Sequence, residues 1–118
     1  MKQKFIASIA KCGFIEGETL ILQGTLDKNQ PYPDNFVTIW TDFTADNGHF
    51  DNAVTSVDWH FTAILYSNNP KTLFKKANEL IDTLRADGFI PQGKGQDIPS
   101  DETTHTGWAM EFIGVEKL

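Results

Sequence analysis

The sequence predicts an α+β fold, an antiparallel or mixed β-sheet with two helices packed on it, in the order α-β-β-β-α-β-β. Three observations lead to this fold class. The segment from Val57 to Tyr66 alternates apolar and polar side chains with the period of a strand. The segment after it repeats apolar residues every three or four positions, as an amphipathic helix does. Several shorter alternating runs, rich in β-branched and aromatic residues, provide the remaining strands.

The long strand and the helix after it form the centre of this prediction. One side of the strand carries Val57, Trp59, Phe61, Ala63 and Leu65, and the other carries Asp58, His60, Thr62 and Tyr66. Ser67-Asn68-Asn69-Pro70 then supplies capping side chains and a proline suited to a first helical turn. The helical stripe consists of Leu73, Ala77, Leu80 and Leu84, with Phe74 and Ile81 beside them, and Gly88 ends the helix. We expect this stripe to pack against the Trp59 side of the strand.

The N-terminal part predicts one helix and one short strand. Phe5, Ile6 and Ile9 fit a helix of about three turns that ends at Gly13. Residues 18–26 alternate as a short strand, with a possible bulge at Gly24. A polar loop follows over residues 27–35, where two prolines cannot donate to a sheet ladder.

A long β-hairpin is predicted next. Residues 36–43 are β-branched and aromatic, and both faces of this strand have apolar content. Thr44 to Ala53 is a ten-residue polar connection that contains Asp46-Asn47-Gly48, a strong turn signal. The connection leads into the long central strand.

The C-terminal part predicts two strands separated by a long polar loop. Phe89-Ile90-Pro91 begins a short strand, and Trp108 to Val115 alternates as the last one. Between them, Gln92 to Gly107 is a sixteen-residue polar segment with three glycines and Pro99. Such a length predicts either a binding loop or a segment that a partner orders.

Composition bounds the class of protein. At 118 residues, the chain is expected to form one domain over 1–118, and 40% hydrophobic residues suit a globular protein. Cys12 alone cannot form an internal disulfide and is expected to be a small buried hydrophobe. No signal peptide and no membrane span of about 20 apolar residues is recognised. A net charge of −6 argues against a general affinity for nucleic-acid phosphate, although Lys71, Lys75 and Lys76 could form a local exception.

Candidate chemical groups are few. Asp42, Asp58 and His60 could meet on an exposed sheet face near His49 and Asp51 as a metal site, but a solvated face and a polar hairpin tip explain them more simply. His105 has no recognisable base or nucleophile as a partner, and Gly93-Lys94-Gly95 lacks the rest of a phosphate-loop motif. The tryptophans are expected to serve core or subunit packing; they are Trp40, Trp59 and Trp108. We therefore predict no catalytic, cofactor or metal site.

Four stretches together resemble the small tail-terminator, or tail-completion, proteins of siphophages and related prophages. They are the run from Pro31 to Thr38, the Trp59-to-Tyr66 strand with Ser67-Asn68-Asn69-Pro70, the helix end Arg85-Ala86-Asp87-Gly88-Phe89, and the late loop with Asp97 and Thr104-His105-Thr106-Gly107. The resemblance covers about residues 20 to 115, and Met1 to Leu22 has no specific match.

This resemblance implies a non-enzymatic structural protein with an α/β sandwich that assembles as a ring, commonly of six copies. Such a ring ends the tail tube at its head-proximal side and forms the joining surface for the neck. The implied partners are further copies of the chain, the tail-tube protein and a neck or head-completion protein. DNA would pass through the channel without specific binding, no cofactor or membrane is implied, and the location is the virion tail after assembly in the host cytoplasm.

The contacts are expected in the two polar segments, 44–53 and 92–107. The candidate interaction residues are Asp46, Asn47, Gly48, His49, Phe50, Lys94, Asp97, Asp101 and His105. Two alternatives remain open. The first is a small metal-dependent hydrolase or nuclease that uses Asp42, Asp58 and His60. The second is a monomeric module for a peptide or small molecule, which predicts a concave apolar pocket.

Overall fold

A computed structural model describes residues 1–22, 32–50, 53–99 and 104–118. Within these ranges, two helices pack on a mixed six-stranded sheet, which confirms the predicted α+β class. The elements are α1 (Lys2–Ala10), β1 (Leu20–Leu22), β2 (Asn35–Phe50), β3 (Ala53–Ser67), α2 (Pro70–Ala86), β4 (Ile90–Pro91), β5 (Gln96–Ile98) and β6 (Thr106–Lys117). The order has one strand more than predicted, because β5 forms inside the expected polar loop.

The sheet is organised around β3 and its two long partners. The strand order is β1-β2-β3-β6-β4, and β5 pairs with β6 as well. β2 and β3 are antiparallel from Asn35 opposite Ser67 to Phe50 opposite Ala53. β6 runs antiparallel along the other edge of β3, whereas β1 pairs in parallel with β2. The parallel pair makes the sheet mixed.

The core lies between one face of the sheet and both helices. Phe61 and Leu65 are 1% and 0% exposed, and they belong to the same buried cluster as Leu80 and Leu84 of α2. The predicted packing of α2 on this face is therefore confirmed, and Trp59 lies at the margin of the cluster. Phe74 is different from the rest of the predicted stripe, because half of its side chain is exposed.

Helix α1 packs on the same face of the sheet as α2. The sequence had not predicted where α1 packs. The Phe5 ring stacks on Phe61 with centroids 4.3 Å apart, and it also contacts Phe89 and Phe112. Four aromatic rings from α1, β3, β6 and the residue before β4 thus form one centre. Such a cluster is stabilised by buried apolar area and by favourable ring geometry.

Polar contacts fix both ends of α2. Asn69 caps its N-terminus, where its Oδ1 accepts from the Lys71 N–H at 3.1 Å, and Pro70 occupies the first turn, as predicted. At the other end, the Asp87 carboxylate accepts from Lys11 Nζ at 2.8 Å and from Ser8 Oγ at 2.6 Å. The hydrogen bond from Lys11, which has the larger effect, and the one from Ser8 lower the pKa of Asp87 below its ordinary value. They also tie α1 to the C-terminal end of α2.

The predicted turn at Asp46-Asn47-Gly48 is wrong. These residues continue β2, and the ladder with β3 extends to Phe50 opposite Ala53. Cross-strand bonds outweigh the local turn signal, since Ser56 Oγ donates to the Asn47 carbonyl and Asn47 Nδ2 donates to Asp58. Gly48 instead allows β2 to lie close to the Thr55 side chain of β3. Its φ is +73°, and a Cβ there would collide with Thr55 Oγ1.

Other predicted boundaries also change. Of the strand expected over 18–26, the structure describes Leu20–Leu22 as β1, while Gly24 and residues 27–31 of the loop lie outside the described residues. The last strand is longer than expected, because its pairing with β3 continues from Thr106 to Lys117. Cys12 is half-buried rather than buried, with Sγ 3.3 Å from Thr83 Oγ1.

Candidate functional site

The far end of the hairpin projects beyond the helices. We call residues 42–50 of β2 and 53–60 of β3 the distal hairpin. After Thr41 every β2 residue is exposed except the half-buried Ala45, and Phe50 is 73% exposed. The Cα radius of gyration is 15.3 Å, against about 13.5 Å expected for a compact domain of this length. The projecting hairpin explains this elongation.

The distal hairpin also has an open edge. β3 pairs with one edge of β2 along its whole length, and β1 pairs with the other edge only over Val37 to Ile39. On that second edge, no strand in the described part of the chain lies beside Asp42 to Phe50. An edge of this length presents a row of backbone N–H and C=O groups to solvent. Five of the predicted interaction residues lie here, namely Asp46, Asn47, Gly48, His49 and Phe50.

A bulge marks the base of the distal hairpin. The β2–β3 register shifts between Thr41 and Phe43, which leaves Asp42 as the extra residue. Its carboxylate accepts from Trp40 Nε1 at 2.8 Å and from Thr62 Oγ1 at 2.5 Å. Both oxygens of the Asp42 carboxylate therefore accept hydrogen bonds within the sheet.

The residues of the postulated metal site have separate partners. Asp58 accepts from Asn47 Nδ2 at 3.2 Å, and the His60 ring stacks on Phe43 at 4.0 Å. In the ranges that the structure covers, no three His, Cys, Asp or Glu side chains are grouped to hold a metal ion. Asp51 lies outside those ranges. No observation favours the metal-dependent hydrolase or nuclease.

The side of the sheet opposite the helices, which we call the open face, carries a mainly apolar row. The register places Phe43, His60, Ile113 and Ile90 side by side across four strands. Phe43 and Ile90 are 55% and 51% exposed. No helix among the described residues covers this row, so it offers apolar area at the root of the distal hairpin.

His105 lies on the open face at the opposite end of the sheet. Its Nε2 is 2.8 Å from the Pro33 carbonyl, and its Nδ1 is 2.8 Å from Thr104 Oγ1. Its ring packs against Phe36 and Tyr32. Both ring nitrogens thus have protein partners, and the side chain holds the start of β6 against the start of β2.

The segment Gly93-Lys94-Gly95 forms what we call the glycine bulge. Gln92 N–H donates to the Glu111 carbonyl and Gln96 pairs with Ala109, so three residues lie opposite Met110 alone. The two glycines have φ of +79° and +101°, which permits the bend. The depression beside it has a volume of about 170 Å³ and a polar lining, unlike the apolar pocket expected of a ligand-binding module.

Two more of the predicted interaction residues, Lys94 and Asp97, lie in or beside this bulge. The Lys94 carbonyl accepts from Trp108 Nε1 at 2.9 Å, and the Lys94 side chain is exposed. Asp97 is exposed in β5, where it pairs with Trp108. Asp101 lies outside the described residues. Part of the long polar segment 92–107 is therefore a strand, since β5 pairs with the edge of β6.

A second surface was not predicted as a unit. Phe74 projects from α2 and meets the Trp108 ring edge-on at 5.6 Å. Lys71 is a helix-surface neighbour of both Phe74 and Lys75, which follow it by three and four residues, and both lysines are exposed. We call Lys71, Phe74, Lys75 and Trp108 the basic aromatic patch. The spacing of 71, 74 and 75 was available in the sequence, but Phe74 was assigned to the core stripe.

Two of the three tryptophans pack against the core, as expected. Trp59 stacks on Phe61 with centroids 6.0 Å apart and contacts the core, and Trp108 contacts the core as well. Trp59 Nε1 and Thr41 Oγ1 are buried and have no hydrogen-bond partner in the described ranges. Both residues lie at the base of the distal hairpin.

No protein-family model matches this chain, and no curated protein matches its sequence. Of the two described helices, neither is long and apolar enough to cross a membrane.

Proposed function

We propose that this chain is a non-enzymatic structural protein of a phage or prophage tail. It assembles as a ring at the head-proximal end of the tail tube, ends tube growth and forms the joining surface for the neck. The distal hairpin is the observation that carries the proposal. The resemblance of four sequence stretches to tail-terminator proteins supplies the biological setting.

The distal hairpin supports the proposal because its open edge and exposed rings would make a monomer prone to non-specific association. An exposed strand edge invites pairing with other chains, and soluble proteins usually shorten, bend or cover such edges. Here the edge runs on beyond the bulge at Asp42, and it carries the exposed rings of Phe43 and Phe50. A neighbouring polypeptide would cover both the edge and the rings.

The open face supports the same proposal. Its mainly apolar row of Phe43, His60, Ile113 and Ile90 continues from the hairpin onto the body of the sheet. A partner that pairs with the β2 edge could therefore also cover apolar area beside it. Combined backbone pairing and apolar burial is how strand addition gains both affinity and specificity.

The charge of the chain suits the proposed setting. A net charge of −6 gives no reason for DNA to bind the lumen of a ring, and DNA must slide through such a lumen during ejection. The proposed partners are further copies of this chain, the tail-tube protein and a neck protein. No catalytic step is part of this proposal.

The first test is the oligomeric state together with tube binding. Light scattering and native mass spectrometry over rising concentration should reveal a ring, and six copies of the 13.2 kDa chain would give about 79 kDa. Tail tubes assembled from the tube protein of the same phage should carry the ring at one end in electron micrographs. A chain that stays monomeric at every concentration and leaves tube ends bare would overturn the proposal.

A matched pair of variants locates the contact. Phe50→Ser removes a ring that is 73% exposed on the distal hairpin, and Ile15→Ser removes a side chain that is 57% exposed before β1. Both variants should fold like the wild type. We expect weakened assembly for Phe50→Ser alone, and equal behaviour of the two variants would count against the distal hairpin.

A further inference from the structure

Cationic side chains are unevenly distributed along this chain. Between Lys28 and Lys71 the sequence contains no lysine or arginine. The acidic residues of that interval are Asp34, Asp42, Asp46, Asp51 and Asp58. The helices and the turn after α1 hold most of the cations, which are Lys2, Lys4, Lys11, Lys71, Lys75, Lys76 and Arg85. The hairpin is therefore acidic and the helical layer is rich in cations.

The acidic hairpin and the basic aromatic patch lie at opposite ends of the molecule. The tip of the ladder is Phe50 opposite Ala53, whereas Trp108 of the patch pairs with Leu65 near the other end of β3. Twelve residues of strand separate Ala53 from Leu65, which corresponds to about 40 Å. The longest dimension of the chain is 54 Å. One copy cannot bring its own hairpin onto its own patch.

Each of the two surfaces combines a charge with an aromatic ring. Asp46 and Phe50 are four residues apart on β2, so their side chains point to the same side of the ribbon. On the patch, the exposed Lys71 is a helix-surface neighbour of both Lys75 and Phe74, and the Phe74 ring contacts Trp108. The carboxylate and the ring of one surface thus match the cations and the rings of the other.

We infer that the basic aromatic patch of one copy binds the distal hairpin of the next copy, with Asp46 against Lys71 and Lys75 and the Phe50 ring against Phe74 and Trp108. This inference rests on the proposed function, because it specifies the contact that joins neighbours in the ring. The contact uses two different surfaces, so it propagates head to tail and closes where the rotation between copies allows. Aromatic contacts at its centre would supply most of the affinity, and the charges would set orientation.

The test exchanges charges between the two surfaces. Asp46→Lys and Lys75→Glu each place like charges in every contact, and each should weaken self-association about tenfold. In an equimolar mixture, the lysine-bearing hairpin of the first variant meets the glutamate-bearing patch of the second. The unchanged Asp46 of the second variant likewise meets the unchanged Lys75 of the first. Mixing the two defective variants should therefore restore association to within about threefold of the wild type, as sedimentation equilibrium would measure.

Two controls keep the test specific. Arg85→Glu changes the net charge as much as Lys75→Glu does, but it lies near the C-terminal end of α2, ten residues and about 15 Å along the helix from Lys75, and it should leave association unchanged. Thermal unfolding checks that each variant folds. If Asp46→Lys does not fold, Asp46→Asn replaces it and should still weaken association, about threefold, since it removes the attraction without adding repulsion.

The outcomes separate this inference from the proposed function. A wild-type chain that is always monomeric overturns both. A wild-type ring that Asp46→Lys and Lys75→Glu leave intact overturns the inference alone. Loss of assembly in both variants without recovery in the mixture rejects the pairing of these two surfaces, whereas recovery supports it.

Discussion

Replacing Phe5 by alanine tests how firmly α1 is built into the fold. The Phe5 side chain is fully buried, and its ring stacks on Phe61 at 4.3 Å while contacting Phe89 and Phe112. Truncating a buried phenylalanine to alanine costs about 3–5 kcal/mol, because transfer free energy is lost and a cavity remains. The substitution should therefore remove a large part of the stability of a domain this size.

The expected change in melting temperature follows from chain length. For 118 residues, an unfolding entropy of about 2.1 cal/mol/K per residue gives about 0.25 kcal/mol/K. A loss of about 3–5 kcal/mol then lowers the melting temperature by about 12–20 °C. Thermal unfolding followed by far-ultraviolet circular dichroism measures this shift, and denaturant unfolding gives an independent free energy.

Phe50→Ala is the matched control, because it makes the same chemical change at a ring that is 73% exposed. At a concentration where the chain is monomeric, it should alter the free energy of unfolding by about 0.5 kcal/mol or less, as exposed sites usually do. If Phe5→Ala melts within about 2 °C of the wild type, α1 does not pack on Phe61 and the described core is incorrect.

Two further predictions concern Asp87 and the glycine bulge. Because the hydrogen bond from Lys11 lowers the folded-state pKa of Asp87 below its ordinary 3.8, this carboxylate stabilises the fold above that pH and loses its effect as the pH falls through the folded value. Asp87→Asn should therefore be less stable than the wild type at neutral pH, and the gap should narrow in acid; a gap that is constant with pH would contradict this. At the bulge, Gly93→Ala should cost about 1–2 kcal/mol for its positive φ, and Gly95→Ala should cost clearly more, because its Cβ would also lie 2.6 Å from the Ala109 carbonyl. Equal costs in denaturant unfolding would show that the close approach at Gly95 is unimportant.

The sequence identified many residues of the candidate surface, although it did not predict the elements in which all of them lie. Asp46 and Phe50 were expected to make contacts, and the structure places both on the projecting distal hairpin. The sequence placed Lys94 and Asp97 in a loop, whereas they belong to the glycine bulge and to β5. Phe74 was assigned to the core, because helical spacing alone cannot tell the margin of a buried stripe from its centre.

The sequence by itself determined the local features of this protein. The strand β3, the helix α2, the Asn69 cap and Pro70 depend on neighbouring residues, and each is found as predicted, although both faces of β3 are buried from Phe61 to Leu65. Only the tertiary structure decided that Asp46 to Phe50 continue a strand, that β5 adds to β6, and that Phe5 meets Phe61. A strand or a ring contact is stabilised by a partner that is distant in the chain, and the local sequence does not identify that partner.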